Sequence, residues 1–227
     1  MPNRYEPFIT GNIYHVFNKT IDHKRVFQSE KYVQEFYNRL IYYRSTDVAK
    51  SYSDIVRLKQ EIQDQIFSEI LIKSSFQVRV LSYVFMPTHY HFLLEQIKDN
   101  GIVNFISKVT NSFTRYFNLK NQRKGQLFLN PFKAVLVRTD EQLIHTSRYI
   151  NLNPFSSGII DNIDDLKNYK MSSFPSLIGK KKDTLVSTDK ILGYFDSKEE
   201  YKDFVVDRAE VQRQLEELKH INEFIQD

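Results

Sequence analysis

The sequence predicts an α+β protein in which helices pack on an antiparallel sheet of the ferredoxin or RNA-recognition type. The predicted elements follow the order strand, helix, strand pair, helix, strand, helix, which is typical of this class. The strand pair is joined by a tight connection at Met86-Pro87-Thr88, and this short link indicates an antiparallel hairpin. A lysine-rich linker then leads to a predicted helical extension at the C-terminal end of the chain.

The first predicted elements are a two-sided strand and a helix. Residues 12–18 carry bulky side chains on both faces, as expected for a central strand of a sheet. Apolar residues recur at helical spacing over residues 29–45, where Ser29 can cap the helix. The same spacing recurs over residues 55–72, so we expect a helical insertion near residues 50–74.

The later elements complete the predicted core and the extension. The core continues with strands 76–85 and 89–96, helix 102–119, strand 132–138 and helix 140–150. Thr139 is expected to cap the last of these helices, and Asn153-Pro154 to end it. We predict one domain over residues 1–180 and an extension over residues 181–227, with helices at 187–195 and 198–220.

Composition limits the classes of function. The chain contains no Cys, which excludes a disulfide scaffold, a thiolate zinc site and a cysteine nucleophile. Its N-terminus has no apolar segment typical of a secretory signal, and no apolar run approaches the roughly 20 residues that span a bilayer. These features predict a soluble cytoplasmic protein that does not enter a membrane.

Charge is unevenly distributed along the chain, although the net charge is only +4. Residues 100–138 contain seven basic and no acidic residues, whereas residues 195–227 contain ten acidic and five basic residues. A basic segment with Phe and Tyr between its charges suits a polyanion that carries stackable bases, such as single-stranded DNA. The alternative is an ordinary solvated helix face followed by a charged loop.

The motif His89-Tyr90-His91 is the sharpest chemical feature of the sequence. Side chains on a strand alternate between faces, so the two imidazoles point the same way and lie close enough to share a metal ion. Two histidines leave a coordination shell open, which favours a catalytic over a structural metal. The alternative is a pair of core or surface histidines without a metal. His15, on the neighbouring strand, is interpreted as a packed sheet histidine rather than a ligand.

Tyr116 lies on the helix that follows the histidine strand, and two interpretations compete. Its ring could fill the core with the hydroxyl at the surface, which is the common arrangement for a helical tyrosine. It could instead be a nucleophile, activated by a nearby cation and neighbouring positive charge. Tyr149 is a rival nucleophile, although its motif favours a structural helix end.

Five motifs in the same order carry a family resemblance over about residues 12–178. They are Tyr14–Lys19, Met86–Leu94, Thr114–Asn118, Gly125–Lys133 and Arg148–Pro154. Together they resemble the motifs of the REP-associated tyrosine transposases. Those enzymes are relatives of the single-tyrosine insertion-sequence transposases, in the histidine–hydrophobe–histidine superfamily.

The resemblance implies a transposase that cuts and joins single-stranded or hairpin DNA. His89 and His91 would bind a divalent metal, Mg or Mn, and Tyr116 would attack the scissile phosphate to form a 5′-phosphotyrosine link. The enzyme would work as a homodimer, because strand transfer joins two ends and relatives dimerise. The residues expected to bind DNA are Arg115, Lys120, Arg123, Lys124, Lys133 and Arg148.

The sequence departs from the family pattern at two places. Asn130-Pro131 stands where relatives often have a Gln-x-Arg segment. Relatives often supply a third metal ligand one turn after the tyrosine, where this chain has Lys120, which cannot ligate while protonated. Asn111, Asn118, Asn121 and Gln122 are possible substitutes. These departures favour one alternative, a nucleic-acid-binding protein that kept the fold and has lost catalysis. A separate alternative is a metal-dependent phosphodiesterase that uses water instead of tyrosine.

Overall fold

The computed structural model of the chain describes residues 7–46, 48, 50–73 and 75–216. The strands are β1 (Ile13–Lys19), β2 (Val78–Met86), β3 (His89–Gln96) and β4 (Lys133–Val137). The longer helices are α1 (Glu30–Arg44), α3 (Gln60–Lys73), α4 (Gly101–Lys120), α5 (Asp140–Ser156) and α8 (Lys198–Val206). Single-turn helices are α2 (Tyr52–Ile55), α6 (Phe174–Leu177) and α7 (Asp189–Leu192).

The four strands form one antiparallel sheet in the order β2-β3-β1-β4. This order and the alternation of strands with helices confirm the predicted α+β fold of the ferredoxin type, with helices packed on the sheet. β1 lies between β3 and β4, which explains why bulky residues occupy both of its faces.

One face of the sheet is covered by α1 and α4. Along β3, Tyr90, Phe92 and Leu94 point into this first core, each fully buried. The apolar stripe of α4 packs on them, ending with Phe113 and Phe117. Burial of such a side chain contributes roughly 1.5–3 kcal/mol, so this face accounts for much of the stability of the fold.

The other face is covered by α5, with α8 packed behind it. Leu81 and Leu93 of the sheet meet Ile150, Leu152 and other apolar residues of these helices. A buried polar network crosses this second core. Its members are Ser82, Ser147, Asn151, Ser173 and Tyr201. Since buried polar groups are costly without partners, the network fixes how α5 and α8 sit on the sheet.

The structure corrects the predicted ends of two helical segments. The helix predicted over residues 55–72 begins only at Gln60, as α3, and Ile55 instead ends the short helix α2. Helix α5 continues through Pro154 to Ser156 instead of ending at Asn153. A proline removes only its own N–H bond and crowds one carbonyl, and here the last turn is held by buried Leu152 and Phe155. Tyr149 and Asn153 therefore share one helix.

Of the two predicted helix N-caps, the structure confirms the one at Thr139 but shows no capping hydrogen bond at Ser29. The Thr139 hydroxyl accepts a hydrogen bond from the Gln142 backbone N–H at 3.1 Å, which confirms the predicted cap of α5. Ser29 does occupy the N-cap position of α1, but its side chain makes no capping hydrogen bond.

The C-terminal extension packs against the rest of the chain. Asp183 accepts hydrogen bonds from the hydroxyls of Tyr37 and Tyr83, and Tyr201 is fully buried in the second core. The division between residues 180 and 181 stays a prediction. The predicted helix 198–220 is interrupted by a turn at residues 207–208, and its residues 217–220 lie outside the described residues. No helix in the described part of the chain is long and apolar enough to cross a bilayer.

Candidate active site

The site is built on the face of the sheet that α5 covers. His89 and His91 alternate along β3 with Tyr90, which is buried on the opposite side. Their ring centroids lie 5.1 Å apart. The two imidazoles thus project from one face of the strand, in the arrangement that the sequence predicted.

His15 of β1 completes a cluster of three imidazoles. Its Nε2 lies 2.9 Å from Nδ1 of His91, and the two rings stack with centroids 5.1 Å apart. Burial lowers the pKa of His15 to about 4. Burial, with help from Lys19, also lowers the pKa of His89 to about 4. Both are therefore neutral near pH 7, the state in which imidazole binds metals.

Tyr149 of α5 is the tyrosine that lies against these histidines. Its ring stands edge-on to His91 at 5.8 Å between centroids and to His15 at 5.9 Å. Asn153, one helical turn further on, donates a hydrogen bond from its side-chain amide to the Tyr149 carbonyl at 2.8 Å. That bond uses the amide nitrogen of Asn153 and leaves its oxygen as the donor atom it can offer to a cation.

A cavity of about 960 Å³, the histidine cavity, joins these side chains. His89, His91, Tyr149 and Asn153 all line it. Basic and acidic groups also reach it from the surrounding segments: Lys19, Arg25 and Glu216. The cavity therefore combines imidazoles, a phenol, an amide, two cations and one carboxylate, and its imidazoles and cations are groups suited to holding a phosphate.

Tyr116 lies elsewhere, and within one chain its phenol does not converge with the histidines. Its ring packs in the first core, 4.8 Å from the Arg39 guanidinium and 6.4 Å from the Tyr32 ring. The hydroxyl is buried without a hydrogen-bond partner. Burial and the nearby Glu35 carboxylate raise the pKa of Tyr116, which opposes formation of a phenolate. The sheet separates this core from the histidine face, because neighbouring residues of β3 point to opposite sides.

Three of the predicted DNA-binding residues lie at one end of α4. Arg115, Lys120 and Lys124 are exposed there. Arg123 lies in the same region, but its guanidinium is bound to the Asn118 side chain and to the carbonyls of Gly125 and Gln126. Arg123 therefore holds the turn after α4 in shape.

The other two predicted DNA-binding residues, Lys133 and Arg148, lie in different environments. Lys133 begins the edge strand β4 opposite Phe17, on the histidine face of the sheet, and is exposed. Arg148 instead stacks on the Phe204 ring at 4.5 Å and donates to the Phe204 carbonyl at 3.3 Å. It also contacts His145 at 2.6 Å. The expected DNA contact of Arg148 is therefore not supported, because its guanidinium joins α5 to α8.

The donor atoms fit a divalent metal only in part. In the described ranges, no group of three His, Cys, Asp or Glu side chains could hold a metal ion. His89 and His91 offer two imidazoles, and the amide oxygen of Asn153 is a third donor in the same cavity. Such a mixed set suits Mn, or Mg where phosphate and water oxygens complete the shell.

Sequence reasoning did not consider Asn153 as a donor and ranked Tyr149 below Tyr116. The signal was present, since Tyr149 and Asn153 are four residues apart, the spacing of one face of a helix. The expected third ligand one turn after the tyrosine was sought at Lys120, whereas the same rule applied to Tyr149 points to Asn153. The predicted helix end at Asn153-Pro154 concealed this relation.

The fold and the cavity define a ferredoxin-type α+β protein with a histidine–tyrosine site on one face of its sheet. A REP-associated tyrosine transposase, solved bound to a REP hairpin, is similar in structure, with a TM-score of 0.53 and 14% sequence identity. The alignment covers 82% of this chain and 92% of that chain. At this identity the similarity establishes a shared fold. No family model matches the chain, and no curated protein matches it in sequence.

Proposed function

We propose that this protein is a transposase-like enzyme that nicks and rejoins single-stranded or hairpin DNA, with Tyr149 as its nucleophile. One observation carries the proposal: the Tyr149 ring lies 5.8 Å from the His91 ring, in the cavity that His89 and Asn153 also line. The shared fold with a transposase solved on a DNA hairpin supports it. The exposed basic residues near α4 and at Lys133 also support a polyanionic partner.

The residues of the cavity would act on one phosphodiester. The Tyr149 oxygen forms a bond to phosphorus while the bond from phosphorus to the 3′ oxygen breaks, and the phenolic proton ends on that 3′ oxygen. The product is a 5′-phosphotyrosine link and a free 3′-OH. Attack by the 3′-OH of another strand reverses these changes, so no nucleotide cofactor is consumed.

His89, His91 and Asn153 would hold a divalent metal, Mg or Mn. When bound, such an ion polarises the phosphate and stabilises the charge that develops on its oxygens. Lys19 and Arg25 line the same cavity and would position the phosphate by charge. His15 would keep the His91 ring oriented through the contact of 2.9 Å between their nitrogens.

An end-labelled DNA hairpin with a single-stranded flank, incubated with Mn and run on a denaturing gel, tests the proposal. The wild-type protein should form a covalent adduct that Tyr149→Phe abolishes and Tyr116→Phe retains. Tyr116→Phe is the matched control, because it removes the same hydroxyl from a helix on the opposite face. Loss of the adduct in Tyr116→Phe alone would contradict the assignment of Tyr149.

Two other outcomes correspond to the competing functions. Cleavage that survives Tyr149→Phe without any adduct would indicate a phosphodiesterase that uses water. DNA binding without cleavage would indicate a binding protein of the same fold. A homodimer remains part of the proposal, and light scattering with and without the hairpin checks it, since a monomer under both conditions would remove it.

A further inference from the structure

A second cavity lies on the α4 side of the sheet and is unused by the chemistry proposed above. This α4 groove is bounded by α4 and residues 126–132, and its volume is about 430 Å³. Ligand pockets begin at roughly 300 Å³, so the groove has room for a nucleotide-sized group. Its wall on α4 is a row of small polar side chains, Ser107, Asn111 and Thr114, at helical spacing.

The floor and far wall of the α4 groove combine aromatic rings with side-chain amides, unlike the small polar wall on α4. Phe128 and Phe132 contribute aromatic rings, and Gln126 and Asn130 contribute side-chain amides. Among the residues that the structure describes, none that lines the groove is charged. Apolar rings combined with amides and hydroxyls suit a flat heterocycle whose edge carries hydrogen-bond donors and acceptors, which is the chemistry of a nucleobase.

Basic groups adjoin the α4 groove at one end. Asn111 and Thr114 also line a shallow depression that contains Arg115 and Lys124, both exposed. Within the described part of the chain, the residues that line this depression include no acidic one. The charge is therefore complementary to the phosphates that flank a bound base.

The other end of the α4 groove adjoins the histidine cavity. Asn18, near the end of β1, lines both cavities, and its side-chain amide donates to the Leu129 carbonyl at 2.9 Å. Three depressions thus follow one another around this end of the sheet: the basic depression, the α4 groove and the histidine cavity. A single strand lying along them would contact all three.

We propose that the α4 groove binds one base of single-stranded DNA while Arg115 and Lys124 hold the adjoining phosphates. This inference rests on the proposed function, because it takes the strand that is cut as the ligand. The groove would fix which nucleotide lies at Tyr149 by seating a base at a set distance along the same strand. Only an unpaired base can enter, so the site would select single-stranded over duplex DNA.

Binding of labelled oligothymidylate of about 12 nucleotides, compared with a strand of equal length made of abasic sites, tests the groove. Both are measured with chelator present, so metal chemistry does not contribute. The wild-type protein should prefer the strand with bases by about tenfold, as expected for one stacked base. Asn111→Trp fills the groove and should remove most of this preference for the strand with bases. Full preference in Asn111→Trp would overturn the proposal.

A second variant guards against misfolding of the first. Ser107→Leu narrows the same wall with a smaller side chain, and circular dichroism melting checks that each variant is folded. If Ser107→Leu folds and its preference also stays at the wild-type value, the groove does not bind a base.

The phosphate contacts are tested with a matched pair of lysines. Lys124→Ala should lower the slope of log affinity against log salt concentration by about 0.7, the value for one phosphate contact to a single strand. Lys108 is exposed on α4 but lines neither the groove nor the basic depression, so Lys108→Ala should leave the slope unchanged. Equal effects of the two substitutions would contradict a localised contact.

The proposal that the α4 groove binds a base and the proposal that Tyr149 is the nucleophile can be contradicted independently of each other. Loss of base preference in Asn111→Trp with no adduct from the wild-type protein would keep the groove and remove the chemistry. An adduct that depends on Tyr149, formed by a protein that does not distinguish oligothymidylate from the abasic strand, would keep the chemistry and remove the groove.

Discussion

The two faces of the sheet bury similar kinds of apolar residues, but the apolar packing extends to the end of the strands on only one of them. On the α1 and α4 face, aromatic packing continues to the end of the strands, and even the hydroxyl of Tyr116 is enclosed. On the α5 face, packing stops at Leu93, and the positions beyond it on β3 carry His91 and His89 at a cavity. The same strand therefore supplies a closed core to one side and polar chemistry to the other.

This difference teaches where a tyrosine of this fold can react. Both Tyr116 and Tyr149 lie on long helices packed against the sheet, but only Tyr149 faces a cavity. Position relative to the sheet, rather than closeness in sequence to basic residues, decides which phenol can reach a phosphate.

The largest expected effect concerns the closed cores. Burial raises the pKa of Tyr42 to about 12, and it also raises the pKa of Tyr90 and Tyr201. Because the unfolded chain ionises near pH 10, stability is complete below that pH and falls as pH rises towards 12. Near pH 12, keeping each phenol neutral in the folded protein lowers the free energy of unfolding by roughly 3 kcal/mol. The sum over these phenols is on the order of 10 kcal/mol, comparable to the whole free energy of unfolding.

The ultraviolet absorbance of phenolate, followed together with circular dichroism, measures this effect. The phenols of both cores should ionise only as the protein unfolds, above about pH 10. If the tyrosines of one core ionise while the protein is still folded, that core is not closed to solvent.

The next largest expected effect concerns metal binding at the histidine cavity. His89→Ala should weaken binding of Mn by about 100-fold in isothermal titration calorimetry, because it removes a proposed ligand. His15→Gln should weaken it by about tenfold, through the lost orientation of His91. His145→Ala is the control, since His145 lies on α5 outside the cavity. Equal Mn affinity in wild type and His89→Ala would contradict a metal role for this face.

A smaller effect is expected from the polar network in the second core. Asn151 is fully buried and donates to the hydroxyls of Ser82 and Tyr201, at 3.2 Å and 3.0 Å. Asn151→Leu removes the buried hydrogen bonds that Asn151 makes with Ser82, Ser173 and Tyr201, and should lower the free energy of unfolding by about 2 kcal/mol in urea titration. Asn104→Leu, at an exposed position of α4, should change it by less than about 0.5 kcal/mol. Equal costs would show that the network does not hold α5 in place.

The smallest effect distinguishes a structural arginine from a DNA-binding one. Arg148→Ala removes the contacts with Phe204 and should cost about 1 kcal/mol of stability, measured by the urea midpoint. Its affinity for single-stranded DNA should equal that of the wild type, whereas Arg115→Ala should weaken binding. A loss of DNA affinity in Arg148→Ala without a loss of stability would restore the original prediction for this residue.

The sequence by itself determined the α+β class, the hairpin and the pairing of His89 with His91. These features depend on local rules: the period of two along a strand, helical spacing and turn chemistry. The bounds of β3 and of α4 agree with the pattern to within one residue. The resemblance to a transposase family added the expectation of DNA chemistry, which stays a proposal here.

Only the tertiary structure decided which tyrosine meets the histidines. The family resemblance and the neighbouring basic residues favoured Tyr116, which lies 25 residues after His91. The sheet nevertheless places α4 and α5 on opposite faces, and Pro154 proved compatible with the last turn of α5. Which face a helix covers depends on packing between distant segments, and no local pattern in one chain specifies it. The same reason explains why Arg148 was assigned to DNA: its partner Phe204 lies 56 residues away and is brought near only by folding.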